Sequence, residues 1–113
     1  MIKSGTATVT TAGTPVALAS VRTMAGWITI HADAANGTGT GYVYVGGIDP
    51  TTGACAVTRG TGVSNKDYVG HPIVAGDWVS FRELGGPAYI DLRYIWVDAS
   101  ADDSKIAFNW GER

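Results

Sequence analysis

Charge is scarce in this chain. Asp, Glu, Lys and Arg together make up 16% of 113 residues, and the formal net charge is −2. Arg22, Arg59, Arg82 and Arg93 are scattered, with no basic run among them. A surface that tracks phosphates needs clustered cations, so no nucleic-acid partner is expected. Cysteine is nearly absent as well. Cys55 stands alone, so no internal disulfide can form, and stability must come from packing or from partner chains. The opening stretch MIKSGTATVTTAG has one basic residue and no apolar core of a signal peptide. No window approaches a membrane span. The expectation is synthesis in the cytoplasm and no membrane partner, with any exit from a cell by release within a particle.

Helical periodicity is missing too: no segment keeps a 3.6-residue pattern over three turns. What the chain has instead is apolar content, 45% of residues, together with 16 glycines. That is enough to bury a core, in a chain built for strands and turns. Period-two alternation recurs in TATVTT (6–11), PVALAS (15–20), WITIHA (27–32) and YVYVGG (42–47). It returns at 78–81, AYIDL (88–92), YIWVD (94–98) and KIAFNW (105–110), with a short strand expected around 55–59 and a turn at AGD. The spacing predicts an all-β fold: one domain over 1–113, an antiparallel β-sandwich of jelly-roll type. Residues 1–12 form either an extended arm, able to add a strand to a neighbour, or an edge strand.

Side-chain parity is the most informative feature. Alternate residues of a strand face opposite sides. Ile28 and Ile30 oppose Trp27, Thr29 and His31. Val43 and Val45 oppose Tyr42 and Tyr44. Val79 and Phe81 oppose Trp78 and Ser80. Ile95 and Val97 oppose Tyr94, Trp96 and Asp98. The aliphatic set is the natural core, which leaves the opposite faces aromatic where a solvated sheet carries Lys, Glu and Thr. Such rings mark interfaces, and the candidate contact residues are Trp27, Tyr42, Tyr44, Trp78, Tyr94 and Trp96. Two other readings stay open: strands buried on both faces by loops, and a platform on which sugars stack.

Catalytic constellations are lacking. His31 and Asp33 could share a face, but no nucleophile is placed beside them. His71 precedes Pro72 in a turn, and no His pair or C-x-x-C has zinc spacing. G-x-G-x-G at 37–41 leads into a strand instead of a helix, which excludes a dinucleotide loop. Three aspartates lie in VDASADDSK: Asp98, Asp102 and Asp103. Counted as an EF-hand from Asp98, the sixth place is Asp103 instead of Gly and the twelfth is Asn109 instead of Glu, so the ligand set is incomplete. A polar hairpin turn between Asp98 and Lys105 accounts for the same residues. The reading is non-enzymatic, with no cofactor and no metal.

The order GTATVTTAGTPVAL, WITIHADAANGTGTGYVYVGG, GHPIVAGDWVSF, IDLRYIWVDASADDSKIAFNW resembles small β-rich virion proteins of tailed bacteriophages. Members typically read as a Thr/Val strand, an Asn/Gly loop, YVG, a G-x-P-L-x-x-G turn and a closing DL-x-x-I-Y-V-D-A strand. The matching positions are Tyr44–Gly46, Pro72–Gly76 and Asp91–Ala99. The segment DPTTGACAVTRGTGVSNKDY and the four tryptophans depart from the pattern. The resemblance implies a structural protein of the virion, as a capsid decoration (cement) protein or a tail or fibre component. It also implies a homo-oligomer, most often a trimer, whose partner is the major capsid protein or another virion protein.

Overall fold

The computed structural model describes residues 2–33, 42–59, 69–82 and 90–112. Among these residues ten strands follow in chain order: β1 (Ile2–Val9), β2 (Val16–Ala17), β3 (Met24–Ala25), β4 (Trp27–Ala32), β5 (Tyr42–Gly46), β6 (His71–Val74), β7 (Trp78–Arg82), β8 (Ile90–Asp91), β9 (Trp96–Ala99) and β10 (Ser104–Gly111). They form two four-stranded sheets, ordered β1-β10-β4-β7 and β2-β9-β5-β6, and a small β3-β8 pair. Every pairing is antiparallel. No α-helix occurs among the described residues; a single 3-10 turn spans Leu92–Tyr94.

The core lies between the two large sheets. One contributes Val9, Ile28, Ile30, Ala32, Ile106 and Phe108, the other Val43, Val45, Ile73, Val97 and Ala99, all buried. Leu18, Ala25, Leu92 and Ile95 close the ends. The aliphatic parity set is thus the core, as expected, and the architecture is all-β and sandwich-like.

Several local expectations are corrected. The first strand begins at Ile2 and ends at Val9 because Thr11 to Thr14 turn back, with Thr14 N–H donating to the Thr11 carbonyl at 3.0 Å. It is an edge strand of its own sheet, paired along all eight residues with β10. Between 55 and 59 there is no strand, only the isolated bridges Ile48–Cys55 and Thr58–Val69. In the 94–98 stretch a strand starts only at Trp96. Asp91 caps the 3-10 turn by accepting from Arg93 N–H, a short-range bond that Asp makes readily at such positions. Tyr94 therefore lies off the strand, and the parity that paired it with Trp96 does not hold.

The segment between Asp98 and Lys105 is not a hairpin. β9 belongs to one sheet and β10 to the other, so this turn carries the chain across the sandwich. Asp103 takes positive φ (57°) and Ser104 Oγ donates to the Ala101 carbonyl at 2.7 Å. The turn at 75–77 makes a similar crossing from β6 to β7. The G-x-G-x-G stretch at 37–41 and residues 88–89 of the expected AYIDL strand lie outside the described residues.

Candidate contact face

The register of β1, β10, β4 and β7 turns their outward residues into a grid. Ser4, Asn109, Thr29 and Ser80 are cross-strand neighbours in one row that spans all four strands. Ser4 Oγ donates to Asn109 Oδ1 at 2.7 Å, and the Thr29 and Ser80 hydroxyls lie 2.7 Å apart. On one side the next row is Ile2, Gly111, Trp27 and Arg82; on the other it is Thr6, Ala107, His31 and Trp78. With strands about 4.8 Å apart and two residues advancing about 7 Å, Trp27 and Trp78 stand two rows, roughly 14 Å, from each other.

Trp27 is half-buried because its ring lies across Gly111. A Cβ built at that glycine would come within 2.8 Å of the indole Nε1, so only glycine leaves room for the ring. Trp78 is 58% exposed. The face is thus hydroxyl-rich between two indoles, with its charges at the ends: Arg82 in the row of Trp27, and Lys105 and Asp33 in the row beyond Trp78. Sequence reasoning found Trp27, Thr29, His31, Trp78 and Ser80 by parity, but not Ser4 and Asn109. Their contribution depends on which strands pair, and alternation does not report that.

The other aromatic candidates are placed differently. Tyr44 is fully buried, and its Asp98 neighbour across the β5–β9 pair is 1% exposed. Both point away from the core, so their burial comes from the chain itself. Val57, buried at 2%, packs against Gly46, and the backbone of the 11–14 turn comes down on Asp98. The outward exposure expected of Tyr44 is therefore absent; its ring is enclosed within the chain. Tyr42 is half-buried and stacked on Tyr44, with ring centroids 6.2 Å apart. Trp96 is half-buried, and its Nε1 has no hydrogen-bond partner among the described residues. Tyr94 is 48% exposed, with the Arg93 guanidinium 5.1 Å from its ring centroid.

Two of the three aspartates of VDASADDSK, Asp98 and Asp102, hold backbone. Asp98 Oδ1 accepts from Gly13 N–H at 2.9 Å and Ala99 N–H at 2.8 Å; Asp102 Oδ1 accepts from Ala12 N–H at 2.8 Å. Two carboxylates thus pin the 11–14 turn to the opposite end of the chain. Among the described residues no three His, Cys, Asp or Glu side chains are grouped to hold an ion. His31 and Asp33 are both exposed at the end of β4. Cys55 is half-buried, with Sγ 3.9 Å from the Val57 carbonyl.

An open apolar cavity of about 300 Å³ lies between the sheets at the end where Val45, Gly46, Gly47, Phe81, Ile90 and Ile95 meet, with His71 also in its lining. Arg93 forks onto Asp91, with Nη2 to Oδ2 at 2.8 Å and Nε to Oδ2 at 3.2 Å. Those hydrogen bonds, aided by the backbone N–H groups of Arg93 and Thr23, outweigh burial and lower the Asp91 pKa from 3.8 to about 2. A carboxylate with a depressed folded pKa contributes its full stability above the ordinary value and loses it as the pH falls toward the folded one. Asp91→Asn should therefore be less stable than the parent at pH 7. Urea midpoints of the two should converge between about pH 4 and pH 2; a gap still constant at pH 2 would refute the assignment.

A scan of the chain against protein-family models, curated proteins and solved structures found no match.

Proposed function

We propose that this chain is a non-enzymatic structural protein of a phage particle, a capsid decoration protein that stabilises the shell by contact. The observation that carries the reading is the outer face of the β1-β10-β4-β7 sheet. It is broad and rich in hydroxyls, and it carries the indoles of Trp27 and Trp78, aromatic side chains of the kind enriched at interfaces. The virion resemblance of the sequence supports the same conclusion, with a trimer of this chain on the major capsid protein as the assembly it implies. The strand orders also favour the finer fold reading. Eight strands pass back and forth between two sheets ordered β1-β10-β4-β7 and β2-β9-β5-β6, a pattern that suits a jelly roll.

Trp27→Ala and Trp78→Ala should each weaken binding to particles stripped of this protein by about 2 kcal/mol or more, roughly thirtyfold in dissociation constant, if the indoles are hot spots. Unchanged affinity of both folded variants would count against the face.

One observation favours a second reading, a carbohydrate- or host-receptor-binding module on a tail or fibre. The Ser4–Asn109–Thr29–Ser80 row offers hydroxyl and amide groups between two indoles, which suits the hydroxyls and C–H face of a sugar. Binding on a glycan array that disappears in Trp78→Ala would establish it in place of decoration.

A further inference from the structure

The end of the same sheet carries a separate feature. β1 pairs with β10 on one side only, and among the described residues no strand pairs with its other side. The backbone bonds assign the free groups. Gly111 and Lys105 on β10 turn their carbonyls toward the β4 side, to Gly26 N–H at 2.8 Å and Asp33 N–H at 3.1 Å. In an antiparallel ladder the two sides alternate residue by residue. Trp110, Phe108, Ile106 and Ser104 therefore face β1 and bond Lys3, Gly5, Ala7 and Val9, their register partners. The N–H and C=O groups of Ile2, Ser4, Thr6 and Thr8 point out from the sheet edge.

Edge strands of stable monomers are usually short, bulged, or interrupted by proline or an edge charge. β1 has eight residues in unbroken register, no proline and one charge. That charge does not guard the edge. Lys3 Nζ lies 4.7 Å from the centroid of the Trp110 ring, folded back over its own sheet. Ile2 is 71% exposed at the start of the strand.

We infer that β1 pairs antiparallel with β1 of a second copy about a two-fold axis at Gly5. This register sets Ile2 against Thr8, and Ser4 against Thr6, of the other copy. Each of these four residues offers one N–H and one C=O, so the two strands exchange about eight bonds and no outward group is left over. Gly5 then meets Gly5 at a closely spaced, non-bonded position, and each lysine meets an alanine instead of the other lysine. The Thr–Ser and Thr–Ile neighbours on the outer face suit a strand pair. The two four-stranded sheets become one sheet of eight, and their outer faces become continuous. A second copy is favoured over an unrelated segment because the edge complements itself in this register without a charge conflict. The pairing uses backbone edges alone, so it stands independently of the virion reading.

Thr6→Pro tests it. The Thr6 N–H makes no bond within the sheet, so proline at an edge position removes only an outward donor. Sedimentation of the whole chain should give an assembly whose mass is halved in Thr6→Pro. Amide exchange by NMR should find Ser4, Thr6 and Thr8 protected in concentrated parent protein and unprotected on dilution, while Lys3, Gly5 and Ala7 stay protected throughout. Should the proline disturb the fold, Thr6→Lys, which adds a charge at the same edge, must halve the mass instead. A parent monomeric at all concentrations overturns the inference. So does an assembly in which Ser4, Thr6 and Thr8 exchange freely. Protection of these amides only on addition of another virion protein would assign the edge to that partner and overturn pairing with a second copy.

Discussion

Tyr44→Ala should destabilise the protein by about 3–5 kcal/mol, whereas Trp78→Ala should change stability by no more than about 0.5 kcal/mol. Both residues belong to the aromatic parity set, yet one is fully buried and the other is 58% exposed. Deleting the fully buried Tyr44 ring leaves a void and strips Tyr42 of its stacking partner. The surrounding structure collapses only in part onto such a void. In a domain of this size the loss should lower the melting temperature by at least about 12 °C. Differential scanning calorimetry of the two variants side by side checks it. Equal, small shifts would mean that the Tyr44 ring is not packed inside the protein.

The second large effect is expected at Asp98, whose carboxylate is buried and bonded to two backbone N–H groups. Asp98→Ala leaves Gly13 and Ala99 without acceptors, and a buried donor left unpaired costs its full desolvation. The expected loss is about 3 kcal/mol. Asp98→Asn should retain most of the stability, because its Oδ1 can accept the same two bonds without the charge. Urea unfolding of the three proteins separates the outcomes. If Asn costs as much as Ala, the charge itself is what matters, and the pinning role assigned to Asp98 is wrong.

Much of this fold could be read from alternation. WITIHA forms a strand over the residues expected, YVYVG and KIAFNW nearly so, and Ile28, Ile30, Val43, Val45, Ile95 and Val97 are all in the interior. Alternation reports which side chains share a face; it does not report what covers that face. Tyr44 and Trp78 give the same signal, yet one is fully buried and the other exposed. The mistaken hairpin has a related origin. A polar turn between two strands has the same composition whether the strands pair or part to different sheets. At 94 a local bond defeated the pattern, since capping by Asp91 turns the chain before the strand resumes. The Ser4–Asn109 pair was out of reach for a further reason: its members lie 105 residues apart, and register is a property of the assembled sheet.

On the decoration reading proposed above, the outer sheet face lies against a neighbour on the shell. A density map of the intact particle by electron cryomicroscopy tests it most directly. Many copies are expected on the shell, clustered at its three-fold positions, with Trp27 and Trp78 enclosed by a neighbouring chain. Copies confined to a tail tip, or Trp78 standing in solvent at every site, would contradict it.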